Sequence, residues 1–143
     1  CSSLILLPNK LKNLTSLNTF DISRYSSFKS LLNEFGNFKS LITFNMWSCS
    51  SLTTLLNELG NLTSLTTFKI KGCFNLRFLS NKFKNFTYLI ILEISECLSL
   101  TLLPNELSNS TSLTTFDIIK SLRSLPNELD NLTSLNIFDI SGC

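Results

Sequence analysis

The chain has 143 residues, of which 43% are hydrophobic and 15% charged. Twelve Lys and Arg against ten Asp and Glu leave a net charge of +2, too balanced to point to nucleic acid or an anionic membrane as a partner. The absence of His removes the commonest general base, the usual catalytic triads and most zinc sites.

The chain is internally repetitive, and such repetition decides fold class ahead of any local reading. Cys1, Tyr25, Cys49, Cys73 and Cys97 fall at successive steps of 24, and Cys143 follows after one step of 24 and one of 22. The units are 1–24, 25–48, 49–72, 73–96, 97–120 and 121–142, six in all, forming one domain over 1–143. In the first unit Leu17–Ile22 alternates apolar and polar residues before the next unit begins, which predicts a short strand. The second unit has Tyr25 in the Cys place and carries the only Trp, Trp47. The third places Lys69 and Lys71 in its strand. The fourth replaces Ser or Thr by Phe74 and Phe78, and the fifth by Leu98 and Leu102. The sixth lacks two residues where Ile118-Ile119-Lys120 runs directly into Ser121-Leu122. Between strands, Pro-Asn-Glu sequences such as Pro104-Asn105-Glu106 suit the start of a helical turn with Asn as its cap. Too few residues remain for more than a 3₁₀ turn or one to two helical turns.

A strand with so short a return cannot bury its apolar face alone. Stacked units solve this by pairing strands in parallel and aligning equivalent side chains in ladders. Leu17 to Phe28 and Leu65 to Leu76 resemble the leucine-rich repeat signature L-x-x-L-x-L-x-x-N/C-x-x-L, and the likeness covers the whole chain. It implies an α/β solenoid: a curved horseshoe segment with a parallel sheet on the concave face and short helical or 3₁₀ turns on the convex face. The Cys form of the repeat, followed by S-L-x-x-L-P, is similar to that of plant (including moss) intracellular disease-resistance receptors. The G-x-I-P segment of the extracellular plant type does not occur.

The ladders expected in the core are Leu17, Leu41, Leu65, Leu89, Leu113 and Leu135; Phe20, Phe44, Phe68, Leu92, Phe116 and Phe138; and Ile22, Met46, Ile70, Ile94, Ile118 and Ile140. Leu4, Phe28, Leu52, Leu76, Leu100 and Leu122 close the core, with two further columns running from Leu7 to Leu125 and from Leu11 to Leu129. The Phe ladder accounts for five of the twelve Phe residues as stacked rings. The five Cys share one position, have no base beside them, and read as buried reduced thiols bonded to loop carbonyls, hence as a sign of a reducing, cytoplasmic compartment. Asn13, Asn37, Asn61, Asn85, Asn109 and Asn131 read as one turn residue copied along the array. All but Asn37 also stand in Asn-x-Thr form, which would accept a glycan in a secreted protein.

Where the copies differ, packing does not dictate the residue. The varying positions expected on the concave face supply Arg24, Asn45, Trp47, Lys69, Lys71, Glu93, Glu96, Asp117 and Lys120 as candidate partner-binding residues. Trp47 either projects as an anchor beside Lys69 and Lys71 or lies over neighbouring strand side chains. Phe74, Phe78, Leu98 and Leu102 would form an apolar patch on one flank. Lys69, Lys71, Glu93 and Glu96 make a mixed-sign stripe that suits a protein better than a polyanion. The expectation is a non-enzymatic module that binds another chain or another domain of its own chain. It needs no cofactor or metal and engages neither nucleic acid nor the membrane interior. The resemblance implies the sensing or autoinhibitory region of a plant-type immune or signalling receptor. A passive scaffold beside a kinase or ATPase domain and an extracellular glycosylated segment are the alternatives. Beginning and ending at a repeat Cys, the chain reads as a fragment of a longer protein.

Overall fold

A computed structural model describes residues 11, 13–25, 37–55, 57–79, 81–127 and 129–143. Each described repeat contributes one strand: β1 Thr19–Ser23, β2 Thr43–Trp47, β3 Thr67–Lys71, β4 Ile91–Ser95, β5 Thr115–Ile119 and β6 Ile137–Asp139. They form one six-stranded sheet in chain order, every neighbouring pair parallel and in register by whole repeats. The strand sequences, such as Thr-Phe-Lys-Ile-Lys in β3, put an aromatic and a β-branched residue on alternate positions. That pattern suits a pleated surface buried on one side. The returns contain 3₁₀ turns at Asn57–Asn61, Asn81–Asn85, Asn105–Asn109 and Leu129–Asn131. This is the architecture of a leucine-rich repeat solenoid.

One capping expectation is corrected. At Asn105–Asn109 the cap position belongs to Pro104, in extended conformation, and no side chain caps the turn. Asn105 is already inside it. Pro104 lacks an acceptor side chain, so the turn starts on the restricted φ of proline instead.

The three strand ladders are buried in the central copies: Leu41, Leu65, Leu89, Leu113, Phe44, Phe68, Leu92, Phe116, Met46, Ile70, Ile94 and Ile118 all lie in the core. The expectation of uniform burial fails at the ends. Leu17, Phe20 and Leu135 are only partly buried, and Phe138 and Ile140 are exposed, because a terminal rung has a neighbour on one side only. Phe44 and Phe68 stack at 5.5 Å and 10°, Phe116 and Phe138 at 5.5 Å and 16°, while Leu92 interrupts the column. Leu52, Leu76, Leu100 and Leu122 close the core as expected. Leu4, Phe28, Leu7 and Leu31 lie outside the described residues.

A further column escapes the sequence reading. Phe38, Leu62, Phe86, Ser110 and Leu132, three residues before each strand-entry Leu, are buried too. A turn repeats there in every copy, from Leu17 N–H to Leu14 carbonyl through Leu135 N–H to Leu132 carbonyl. Ser110 is the polar exception, and its hydroxyl donates to the Phe86 carbonyl at 3.2 Å. Phe83 and Phe86 meet edge to face at 4.9 Å and both approach Phe68, so a second aromatic cluster packs behind the sheet.

Candidate functional site on the sheet face and its rim

The sheet face away from the core presents the first, third and fifth residues of each strand. The middle row runs Asp21, Asn45, Lys69, Glu93, Asp117 and Asp139 in register. Lys69 Nζ donates to Glu93 Oε1 at 2.8 Å, with side chains 31% and 36% exposed. Lys69 therefore spends its charge within the sheet. Asp117 sits between Glu93 and Asp139, and its carboxyl is raised above the usual range, first by burial, then by those two acids, against the pull of Lys69. Among the described residues, Oδ1 of Asn45 and Oδ1 of Asp117 are buried without a hydrogen-bond partner.

The next row runs Ser23, Trp47, Lys71, Ser95 and Ile119. Trp47 is 47% exposed on the sheet face. It is paired across the strands with Lys71 and not with Lys69, which stands opposite Asn45.

Arg24, Glu96 and Lys120 do not lie on the sheet face, contrary to expectation. Their position follows the last strand residue, and there the backbone turns left-handed in every copy: Arg24, Ser48, Gly72, Glu96, Lys120 and Gly142 have φ from 52 to 73°. Simple alternation would carry this residue toward the core. The left-handed turn instead swings Arg24, Ser48 and Lys120 outward onto a rim at the C-terminal ends of the strands. In the first five copies this N–H continues the ladder to the carbonyl of the preceding position in the next copy, as from Ser48 to Lys71 at 2.7 Å. Only two of these six residues are Gly, so composition conceals the turn.

The turn also joins the two surfaces that the sequence kept apart. Past the rim the chain makes a tight turn, Leu76 N–H to Cys73 carbonyl at 3.0 Å, which exposes Phe74. Trp47, Lys71 and Phe74 therefore line one groove of about 720 Å³ with Arg24, Gly72 and Glu96. Lys71 and Glu96 stand 3.7 Å apart across it, an exposed pair worth little. Phe78 and Leu102 are bridged as parallel neighbours farther down the flank, and both are exposed, as is Leu98. The two-residue deletion of the sixth copy falls in this flank turn: Ser121 keeps the Cys place and Leu122 follows it at once.

Under the rim runs the Cys column. Cys49, Cys73 and Cys97 are free and buried, with Sγ 3.6–3.8 Å from the carbonyls of Trp47, Lys71 and Ser95. Ser121 substitutes a hydroxyl within 2.9 Å of the Ile119 carbonyl. Hydrogen bonding to Cys73, then burial, pushes the Cys49 thiol far above its usual value. The Cys49 bond pulls Cys73 down, but the bond with Cys97 and burial outweigh it and push Cys73 up to about 12. Cys97 is lowered by its bond with Cys73. Cys143 is exposed, so the expectation of uniformly buried thiols is corrected there, while Cys1 lies outside the described residues. Among the described residues no group of three or more His, Cys, Asp or Glu is arranged to hold a metal, and no helix is long and apolar enough to cross a membrane. Of the repeated Asn residues, Asn85 donates its amide to the Gly60 carbonyl at 2.7 Å, a bond between copies.

No family model and no curated protein matches this sequence. Among solved structures it is similar to a leucine-rich repeat protein of Leptospira interrogans, with 19% identity, a TM-score of 0.53, and 97% of this chain against 52% of that one. The chain thus spans about half the length of that neighbour. It is also similar to the leucine-rich repeat domain of the type III effector XopL, with 14% identity, a TM-score of 0.48, and 96% of this chain against 73% of that one. An internalin of Listeria monocytogenes matches at 19% identity with a TM-score of 0.37, over 92% of this chain and 56% of its own.

Proposed function

We propose that this chain is a protein-recognition module whose sheet face and rim hold a partner protein or a neighbouring domain of its own chain. The observation that carries the reading is Trp47, a large side chain half exposed on a hydrogen-bonded parallel sheet and bordered by a groove. A rigid support lowers the ordering cost of binding, and aromatic anchors in grooves dominate interface energies. Mixed charge on the same strands favours a protein partner over a polyanion. The plant-type repeat pattern supports a finer proposal: a sensing or autoinhibitory region of an intracellular immune or signalling receptor, kept in a reducing compartment. Neighbouring free thiols at Cys49, Cys73 and Cys97 support that location.

Affinity capture with the protein immobilised, followed by direct titration of the captured partner, tests the module reading. Trp47→Ala should weaken the partner by about 2 kcal/mol or more while leaving the melting temperature within a degree or two. Unchanged affinity in Trp47→Ala and Lys71→Glu alike would instead favour the flank patch of Phe74, Phe78, Leu98 and Leu102, or a passive scaffold.

A further inference from the structure

We propose that the rim groove accepts a short acidic peptide segment in which a carboxylate adjoins an aromatic or aliphatic side chain. This rests on the recognition reading and names the chemistry of the partner. The groove has a basic end, an apolar middle and a bare floor. Arg24 supplies the basic end, and among the described residues it forms no ion pair, so its guanidinium is available to hold a carboxylate through two hydrogen bonds. Lys71 adds a second cation, shared with Glu96. The indole of Trp47 and the ring of Phe74, both exposed, form the apolar walls.

Gly72 makes the space between them. It is the internal copy whose rim position carries no side chain, whereas its neighbours present Ser48 and Glu96. A Cβ built on Gly72 would have its nearest contacts with Ser48, Oγ at 3.5 Å, an ordinary van der Waals distance, and Gly72 itself lines the groove, so a side chain there would take up space in it. The other rim glycine differs, since a Cβ on Gly142 would strike Lys120 at 2.9 Å. The recess is thus specific to the third copy, beside the only Trp. Glu96 on the wall repels a polyanion, and the apolar walls give a nucleic-acid backbone nothing to bind. One carboxylate next to one apolar side chain matches both features at once.

Trp47 is the only Trp, so its fluorescence reports directly on the groove. The intact chain is titrated with the acetylated, amidated hexapeptide Gly-Asp-Phe-Leu-Glu-Gly, its counterpart with Lys for both acids, and its counterpart with Gly for both apolar residues. A saturable emission change is expected with the first, at least tenfold weaker with the other two. Arg24→Glu should weaken the acidic peptide about tenfold and improve the Lys peptide. Gly72→Asn, which tolerates the left-handed backbone, should weaken it about fivefold with an unchanged circular dichroism spectrum and melting curve. Equal binding of acidic and Lys peptides, indifference to both substitutions, or equal competition by an oligothymidine would overturn the proposal. A random peptide display selected on the same chain separates the two levels. Enrichment of peptides lacking the acidic–apolar pair, displaced in Trp47→Ala, overturns this inference and keeps the recognition reading. Absence of any enrichment overturns both.

Discussion

At the scale of single residues, the cost of a substitution depends on how many rungs enclose it. Phe68 is fully buried between Phe44 and further rings of Phe83 and Phe86, while Phe138 stacks on Phe116 alone and stays 46% exposed. Phe68→Ala should therefore cost about 3–5 kcal/mol in urea unfolding, and Phe138→Ala clearly less. Leu65→Ala, with no exposure to lose, should cost about 2–5 kcal/mol, and a loss under about one would remove Leu65 from the core ladder. The thiols are governed by the same enclosure. A Cys whose value rises to about 12 on folding contributes stability fully below its ordinary 9.0 and loses it as pH climbs toward the folded value. Stability should fall above pH 9, and Cys73→Ser should flatten that fall, since Ser121 already fills the same position as a hydroxyl. Native labelling with a thiol reagent should modify Cys143 at once and Cys73 only through opening. Asp117 follows the same sign: ionisation opposes folding because its value is raised above 3.8. Asp117→Asn should gain stability over the parent at neutral pH, and the difference should close as pH falls into the carboxylate range.

At the scale of the element, the unit is a strand, a left-handed residue and a tight turn. Non-Gly residues in the left-handed region cost about 1–2 kcal/mol, yet four of the six rim positions carry them. The neighbouring ladder bonds, such as Arg24 N–H to the Trp47 carbonyl at 2.7 Å, hold them there. Gly72→Val should destabilise by more than about 1 kcal/mol through the backbone alone, while Ser48→Gly should be near neutral, relief of strain offsetting the added freedom of the unfolded chain. Ser110 is the element-scale oddity, a hydroxyl in a column of Leu and Phe. Ser110→Ala should cost about 1 kcal/mol, because the Phe86 carbonyl loses one of its two donors and keeps only Leu89 N–H. Melting temperatures of the three variants against the parent provide the check.

At the scale of the whole molecule, each strand pairs only with the strands next to it in the chain, and stability is close to a sum over copies and interfaces. The sixth copy shows what such an array tolerates. It lacks the two residues that elsewhere form the flank turn, yet Lys120 N–H still pairs with the Ser141 carbonyl at 3.0 Å and Leu122 still closes the core. Inserting Ser-Ser between Ser121 and Leu122 should thus rebuild the turn on the surface and change the unfolding free energy by less than about 1 kcal/mol. A larger loss would mean that the shortened turn is itself part of the packing.

The period of 24, the alternation within each strand and the recurring Leu, Phe and Ile were enough to establish a solenoid and most of its core. Identical units can bury their apolar faces only by stacking in register, so fold and ladders follow from sequence periodicity. What lay beyond reach was set by backbone rotation and by adjacency between copies. No residue type marks the rim, because ladder bonds hold Arg24, Ser48, Glu96 and Lys120 in a conformation that only Gly72 and Gly142 announce. Lys69 looked available until its partner Glu93 appeared one strand away at 2.8 Å. Trp47 and Phe74 belong to different repeats and to surfaces that the sequence kept separate. Only the left-handed turn at Gly72 brings them to one groove, and only the folded chain decides that the recess there has a basic end at Arg24.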